Sequence, residues 1–207
     1  MDLKTLLDES AKHHRHRLCP RQVLGVCMGL YAGELLGVAL PQADKRVFCF
    51  VETDGCLTDG IAVTTGCAMG RRTMYLMDYG KTAATFVDTQ TQCAWRVTPT
   101  PLSRQHALAY APTAPDRWHA QLEAYQIMPT HELLLAQPVR LTVDLNAILS
   151  KHGMRVVCEQ CGEDVINERF VICEGRLLCR PCTDGAYYVV DAIPIELPQC
   201  RHTTAHL

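Results

Sequence analysis

The chain has 207 residues, of which 48% are hydrophobic and 20% are charged, and its formal net charge at pH 7 is −2. This balance is ordinary for a globular protein and gives no overall attraction to nucleic acid or to anionic membranes. No apolar run approaches the roughly 20 residues that span a bilayer, and the first ten residues lack the apolar core of a signal peptide. We therefore expect a cytoplasmic protein with no membrane partner.

The cysteine content is high, with twelve cysteines in the chain. In a cytoplasmic protein this favours metal binding or redox chemistry over structural disulfides. Four of the cysteines form two C-x-x-C pairs near the C-terminus. The others are scattered, and most of them are expected to be small buried hydrophobic residues: Cys19, Cys27, Cys49, Cys56, Cys67, Cys93, Cys173 and Cys200.

The first quarter of the chain predicts two helices. A short amphipathic helix covers residues 2–13, and a longer core helix covers residues 20–37. Proline suits the first position of a helix and glycine its end, so Pro20 and Gly37 bound the second one. Cys19 then lies at a helix N-terminus, where free N–H groups and the helix dipole lower the pKa of a thiol.

A strand, a glycine turn and a second small-residue helix follow. Residues 46–53 are rich in β-branched and aromatic side chains and predict a strand. Gly55 forms the turn, and Cys56 opens a helix that reaches to about Cys67. A strand followed by such a turn and helix points backbone N–H groups at a ligand. Cys56 is therefore a second thiol at a predicted helix start.

The remainder of the first 150 residues predicts an antiparallel sheet flanked by helices, which is an α+β fold. We expect the strands to form a meander and the second helix to break at Pro129. The predicted strands cover residues 72–79, 83–89, 94–98 and 140–145, and the predicted helices cover residues 103–110 and 115–136. The predicted divisions are a core domain over residues 1–150, a zinc finger over 155–190 and a tail over 191–207.

The two C-x-x-C pairs predict a Cys₄ zinc site, because 17 residues separate them and each pair can bind one tetrahedral ion. A hairpin with its turn at Glu174 and Gly175, and a helix opening at Pro181, indicate a treble-clef or ribbon-type finger. Such a finger is too small to fold without its metal. Five acidic residues accompany four arginines over residues 155–182, so nucleic acid is not an expected partner. The predicted ligands are Cys158, Cys161, Cys179 and Cys182.

Several motifs together resemble the FmdE family, which takes its name from the FmdE component of formylmethanofuran dehydrogenase. They are His-Arg-His before Leu-Cys-Pro (14–20), Glu-Thr-Asp-Gly-Cys (52–56), Thr-Gly-Cys (65–67) and Asp-Tyr-Gly-Lys (78–81). The resemblance covers nearly all of the chain. It implies an α+β core, a treble-clef finger in several members, and an association with molybdenum- or tungsten-dependent oxidation of formyl groups. It does not imply that this chain is itself an enzyme.

The same residues predict a second metal site in the core, since imidazole and thiolate together suit a transition metal ion. The predicted ligands are His14, His16, Cys19, Cys56, Asp54 and Cys67. The family pattern has a histidine one residue nearer to the cysteine, so either His14 or His16 is the inner ligand. Asp54 is a ligand or orients a histidine. The alternatives are solvated histidines and a Cys67 that only packs in the core.

Cys19 and Cys56 are expected to face each other across a shared pocket. Together with Lys81, which can lower a thiol pKa or neutralise an anionic substrate, they are the candidate catalytic residues. The predicted function is a metal-binding FmdE-like protein that is accessory to, or acts in, molybdenum- or tungsten-linked formyl or formate metabolism. The alternative is a non-enzymatic interaction or metal-delivery module that docks on an oxidoreductase through its finger. We also expect a homodimer, because the edges of the sheet need cover.

Overall fold

The computed structural model describes residues 1–150 and 153–190. The chain divides into one compact unit from Met1 to Val143 and a second unit that begins at Asp144. The first division therefore falls before the short helix at 145–150, which belongs to the second unit. The predicted tail at 191–207 lies outside the described residues, as does Cys200.

Three helices in the first unit follow the sequence prediction closely. They are α1 (Leu3–Lys12), α2 (Pro20–Leu36) and α3 (Cys56–Thr65). The carboxylate of Asp2 accepts a hydrogen bond from the Thr5 N–H at 2.8 Å and so caps α1. Gly37 ends α2 in the left-handed conformation with φ at 63°, which glycine adopts without a steric penalty.

Helices α2 and α3 cross with their backbones in contact. A Cβ added at Gly25 would lie 2.3 Å from the carbonyl oxygen of Leu57, and one added at Gly60 would lie 2.3 Å from that of Gln22. Both distances are too short for any side chain, so only glycine permits this approach. The contact lies within two turns of the start of each helix, and it therefore brings the first turns of α2 and α3 together.

The sheet of the first unit has five strands in the order β2-β1-β3-β4-β5. Their bounds are β1 (Val47–Val51), β2 (Met74–Leu76), β3 (Ala84–Asp88), β4 (Ala94–Pro99) and β5 (Leu134–Val139). Strands β1, β3, β4 and β5 pair antiparallel. The predicted meander is wrong for β2, which pairs parallel with β1. Helix α3 connects β1 to β2, and such a helical crossover returns the chain in the same direction.

The segment after the sheet contains three helices, α4 (Ser103–Tyr110), α5 (Arg117–Ala124) and α6 (Thr130–Leu133). The predicted helix over 115–136 is thus interrupted at Pro129, as expected, but it ends at Leu133. The last strand is β5, and the predicted strand over 140–145 is wrong. Leu134 is buried and Leu135 is 45% exposed, an alternation that a strand with one buried face requires. The homodimer inferred from the sheet edges stays a prediction.

The hydrophobic core lies between the helices and one face of the sheet. On β1, Val47, Cys49 and Val51 point into this core together with residues of α2 and α3. Phe48 and Phe50 point to the opposite face, where both rings stack on Tyr75 with centroids 6.1 and 5.4 Å away. Strand β1 is therefore buried on both faces, and this fixes the end of the strand from which α3 starts.

Two buried carboxylates in the sheet are neutralised by arginines. Asp88 accepts hydrogen bonds of 3.0 and 2.7 Å from Arg46, and Glu52 accepts hydrogen bonds of 2.6 and 2.8 Å from Arg96. The bond to the Arg46 guanidinium lowers the pKa of Asp88 to about 2. A bidentate arginine pair satisfies both oxygens of a carboxylate, which makes burial of the charge tolerable.

The second unit is built from short hairpins. It contains α7 (Leu145–Ser150), β6 (Arg155–Val157), β7 (Asp164–Ile166), β8 (Phe170–Cys173), β9 (Arg176–Cys179) and α8 (Arg180–Asp184). β6 pairs with β7 and β8 with β9, both antiparallel. The predicted turn is present at Glu174 and Gly175, whose φ angles are 51° and 82°. Across the described residues, no helix combines the length and the apolar character that crossing a membrane requires.

Candidate metal and thiol sites

The four cysteines of the two C-x-x-C pairs lie together in the second unit. One sulfur from each of Cys158, Cys161, Cys179 and Cys182 lies within 4.8 Å of all the others. The Sγ atoms of Cys161 and Cys179 are 3.8 Å apart. Four thiolates at about 2.3 Å from a tetrahedral ion are separated by about 3.8 Å. The spacing of this pair therefore fits a metal ion at the centre of the cluster.

Backbone hydrogen bonds hold the two knuckles in place. The Gly162 N–H donates to the carbonyl of Cys158 at 2.9 Å, and the Cys179 N–H donates to the Cys158 sulfur at 3.2 Å. The N–H groups of Cys161 and Cys179 lower the pKa of Cys158 to about 6. The thiols around Cys182, Cys179 first, raise its pKa to about 12. One thiolate is thus prepared by the backbone, and the others need a cation before they ionise together.

The thiols of Cys19 and Cys56 meet in the first unit. Cys19 is the N-cap of α2, and Cys56 is the first residue of α3. Partial burial raises the pKa of Cys19, and its interaction with the Cys56 thiol raises it further. The backbone contact between the two helices explains why thiols 37 positions apart in sequence are neighbours. Two adjacent thiols at helix N-termini form a site for a thiophilic metal ion.

Gln22 fixes the position of Cys19. The Gln22 side chain accepts a hydrogen bond from the Cys19 N–H at 2.9 Å and donates one to the carbonyl of Ser10 at 2.9 Å. Gln22 is fully buried, so both contacts form away from water. The side chain therefore attaches the start of α2 to the end of α1.

His14 lies beside the start of α3. Its Nε2 is 2.5 Å from a carboxylate oxygen of Asp59, which is three residues after Cys56 on the same helix. Residues three apart share one face of a helix, so this pair is held next to the Cys56 turn. A carboxylate that binds one ring nitrogen of a histidine orients the ring and leaves the other nitrogen for a ligand. Asp59, rather than Asp54, is the carboxylate that contacts His14.

The structure does not bring all the predicted ligands of the second site together. Within residues 1–150 and 153–190, the only group of three or more metal-ligating side chains within 4.8 Å is the C-terminal one. Asp54, His16 and Lys81 are exposed. The inclusion of Cys67 in this site is wrong. It lies beyond the far end of α3 from Cys56, and a helix of ten residues is about 15 Å long.

Cys67 is instead a core residue. Its thiol donates to the carbonyl of Val47 at 3.2 Å, and it lies beside Cys49, whose pKa is raised by complete burial. Cys27 is also a packing residue, with its sulfur 3.6 Å from the carbonyl of Tyr125. Burial raises the pKa of Cys27 to about 12, which keeps this thiol protonated and unreactive.

Two residues that shape the thiol site escaped the sequence prediction. Each carries a positional signal, because Gln22 and Asp59 both lie three residues after a cysteine at a helix start. A glutamine at that position reaches back to the N-cap N–H. An acidic residue there lies on the same helical face as the cysteine. Neither signal names a partner outside its own helix, so the contacts with Ser10 and His14 needed the fold.

Comparison with known proteins identifies the family. Residues 13–135, more than half of the chain, match the family model described as FmdE, Molybdenum formylmethanofuran dehydrogenase operon. The chain belongs to the FmdE family. The matched residues of this FmdE protein include the thiol pair, His14 and Asp59, whereas the four-cysteine cluster lies beyond the match.

One curated relative shares a shorter segment with this FmdE protein. The chain is 40% identical over 88 residues to a probable S-adenosyl-L-methionine-binding protein of Archaeoglobus fulgidus. The alignment covers 41% of this chain and 24% of the relative. The chain thus spans about a quarter of the length of that relative.

A solved structure shares the fold over most of both chains. It is the 1.90 Å crystal structure of an FmdE-like protein of tungsten formylmethanofuran dehydrogenase from Syntrophus aciditrophicus. The TM-score is 0.57 at 19% sequence identity, with 91% of this chain and 96% of that chain covered. At this identity, the match establishes a common α+β fold.

Proposed function

We propose that this FmdE protein binds zinc in its four-cysteine cluster and a second transition metal ion at the Cys19–Cys56 thiol pair. In this proposal it is accessory to, or acts in, molybdenum- or tungsten-linked formyl or formate metabolism. The observation that carries the proposal is the direct interaction of two thiols from the first turns of two different helices. Packing alone does not require cysteine at either position.

Zinc fits the cluster in the second unit. Four thiolates are the donor set of structural zinc sites, and the measured sulfur spacing agrees with tetrahedral coordination. Cys158 and Cys179 are buried, while the pairs approach from two separate hairpins. A bound zinc ion would supply the charge that allows all four sulfurs to be thiolates.

The thiol pair in the first unit suits a thiophilic ion with open coordination positions. Two protein thiolates, with His14 held nearby by Asp59, leave room for a substrate or for a ligand from a partner protein. When bound, the ion would supply Lewis-acid or redox chemistry. The residues themselves position the sulfurs, through Gln22, and orient the imidazole, through Asp59.

Elemental analysis of the purified full chain tests the proposal. We expect two metal equivalents in the wild type and one in Cys19→Ser and in Cys56→Ser, with the zinc of the finger retained. Cys93→Ser is the matched control, because Cys93 is an exposed cysteine of the same unit and belongs to neither site. A Cys19→Ser variant with unchanged metal content contradicts the second metal site.

An interaction or metal-delivery role is the alternative, and the surface of the finger supports it. Val157, Ile166 and Ile172 are 56%, 49% and 69% exposed, although they lie on strands where polar residues are usual. Exposed apolar side chains on a small unit are typical of a docking surface. In this alternative, a molybdenum or tungsten oxidoreductase from the same cell co-purifies with the full chain. Ile172→Asp abolishes the association and leaves the zinc content unchanged.

A further inference from the structure

A cleft in the first unit has a strongly cationic lining. Its volume is about 490 Å³, within the range of small-molecule sites. It lies between the first turns of α2 and α4, the loop before β3 and the end of β4. The lining contains four basic side chains and no aspartate or glutamate: Arg21, Lys81, Arg96 and Arg104. We call this feature the cationic cleft.

Three of the four charges are not neutralised by the protein. The fourth, Arg96, is bound on two nitrogens by Glu52. Of the residues that the structure describes, none forms an ion pair with the side chains of Arg21, Lys81 or Arg104. A cleft with three uncompensated cations concentrates anions, although the chain as a whole is slightly acidic.

The positions of the two arginines point to a ligand rather than to helix stability. Arg21 is the second residue of α2 and Arg104 is the second residue of α4, and neither first turn contains an acidic residue. A cation at the positive end of a helix dipole is unfavourable. A bound anion reverses this effect, because it interacts favourably with the side chains and with both helix ends.

The cleft is also well supported. The N–H groups of Tyr79 and Lys81 donate to the carbonyl of Glu52 at 3.0 and 3.1 Å, which fixes the loop that bears Lys81. At the other side, Tyr125 and Ser103 are each 2% exposed, and their hydroxyl groups interact. Leu24 adds an apolar contact. The lining therefore offers charged groups at its edge and an apolar and hydroxyl surface below.

We infer that the cationic cleft binds a small organic polyanion, with phosphate or carboxylate groups on Arg21, Lys81 and Arg104 and its organic part against Leu24 and Tyr125. Arginine and lysine bind both kinds of anion through charge-assisted hydrogen bonds. This inference does not depend on the metal function proposed above. Its residues differ from the metal ligands, although Arg21 is only two residues beyond Cys19.

Isothermal titration calorimetry on the full chain tests the inference, with inorganic pyrophosphate and citrate as separate probes. We expect at least one probe to bind, and binding to weaken at physiological ionic strength relative to low salt. Lys81→Gln and Arg104→Gln should each weaken binding roughly tenfold, the loss of one charge-assisted contact. Binding of pyrophosphate alone assigns the ligand as a phosphate, and binding of citrate alone assigns it as a carboxylate.

Arg140→Gln is the matched control, because Arg140 is exposed in the same unit and lies outside the cleft. This variant removes the same charge and should change the affinity by less than about twofold. The inference is overturned if neither probe binds the wild type at millimolar concentration, or if Arg140→Gln weakens binding as much as Arg104→Gln does. Metal content measured on the same samples distinguishes failure of the cleft from failure of the metal sites.

Discussion

The two units of this FmdE protein hold their cysteines in opposite ways. In the second unit, the buried apolar cluster among the described residues consists of Leu178 and two of the four cysteines, Cys158 and Cys179. In the first unit, an extensive core holds α2 and α3 against the sheet, and the thiols of Cys19 and Cys56 lie at the margin of that core. A metal thus replaces the hydrophobic core in one unit, whereas in the other the core prepares a place for a metal.

The largest expected effect is on the second unit. Cys158→Ser should abolish zinc binding and unfold residues 155–184, because this unit has too little buried surface to fold without the ion. The first unit should stay folded. Amide signals in a two-dimensional NMR spectrum of the full chain measure both outcomes at once.

Cys173→Ser is the control for this variant, since Cys173 is exposed in the same hairpin unit and lies outside the cluster. Its spectrum should match that of the wild type. If the 155–184 signals stay dispersed after chelation of the metal, the second unit folds by packing, and the contrast between the two units disappears.

A smaller effect is expected where α2 and α3 touch. Gly60→Ala places a Cβ 2.3 Å from the carbonyl oxygen of Gln22, and backbone atoms cannot move aside cheaply. Overpacking outweighs the gain in helix propensity, so the free energy of unfolding should fall by about 2 kcal/mol. Urea denaturation of the full chain measures the change.

Gly70→Ala is the matched control, because a Cβ at Gly70 meets nothing within 4 Å. That variant should change the stability by less than about 0.5 kcal/mol. Equal stability of Gly60→Ala and Gly70→Ala would show that the two helices do not approach as closely as described.

The smallest effect concerns the buried Asp88–Arg46 pair and is visible only in acid. The pair holds the pKa of Asp88 at about 2, below the value of about 3.9 for an unfolded chain. Its contribution to stability is therefore complete above about pH 4 and is lost as the pH falls towards 2. Urea denaturation at a series of pH values should show this decline in the wild type.

Asp88→Asn should be less stable than the wild type at pH 7, with a shallower decline in acid. Asp8→Asn removes an exposed carboxylate on α1 and should keep the wild-type pH dependence. An unchanged acid decline in Asp88→Asn would mean that other carboxylates control it.

The sequence predicted the helices and the four-cysteine cluster well because these depend on local signals. Pro20, Gly37 and the C-x-x-C spacing act within a few residues. The order of the strands depends on contacts between distant segments, so β2 was placed beside the wrong neighbour. The apolar run at 133–135 fits a helix or a strand equally, and only pairing with β4 decides it as β5.

The thiol site was predicted in part for the same reason. That Cys19 and Cys56 begin helices follows from Pro20 and Gly55, but their meeting depends on Gly25 and Gly60, whose role only the crossing of the helices reveals. Asp59 was missed because its partner, His14, is 45 residues away. The cationic cleft combines side chains from four segments, and only Lys81 among them carried an electrostatic role in the sequence interpretation.

The glycine contact between α2 and α3 has a consequence for how this protein can vary. Main-chain atoms, rather than interlocking side chains, determine the separation of the two helices near their origins. Apolar residues such as Val23 and Ile61 can then exchange for others of similar volume without shifting the sulfur atoms. The geometry of the thiol pair is insulated from drift in the surrounding interior, and tolerance of sequence change there is compatible with an invariant site.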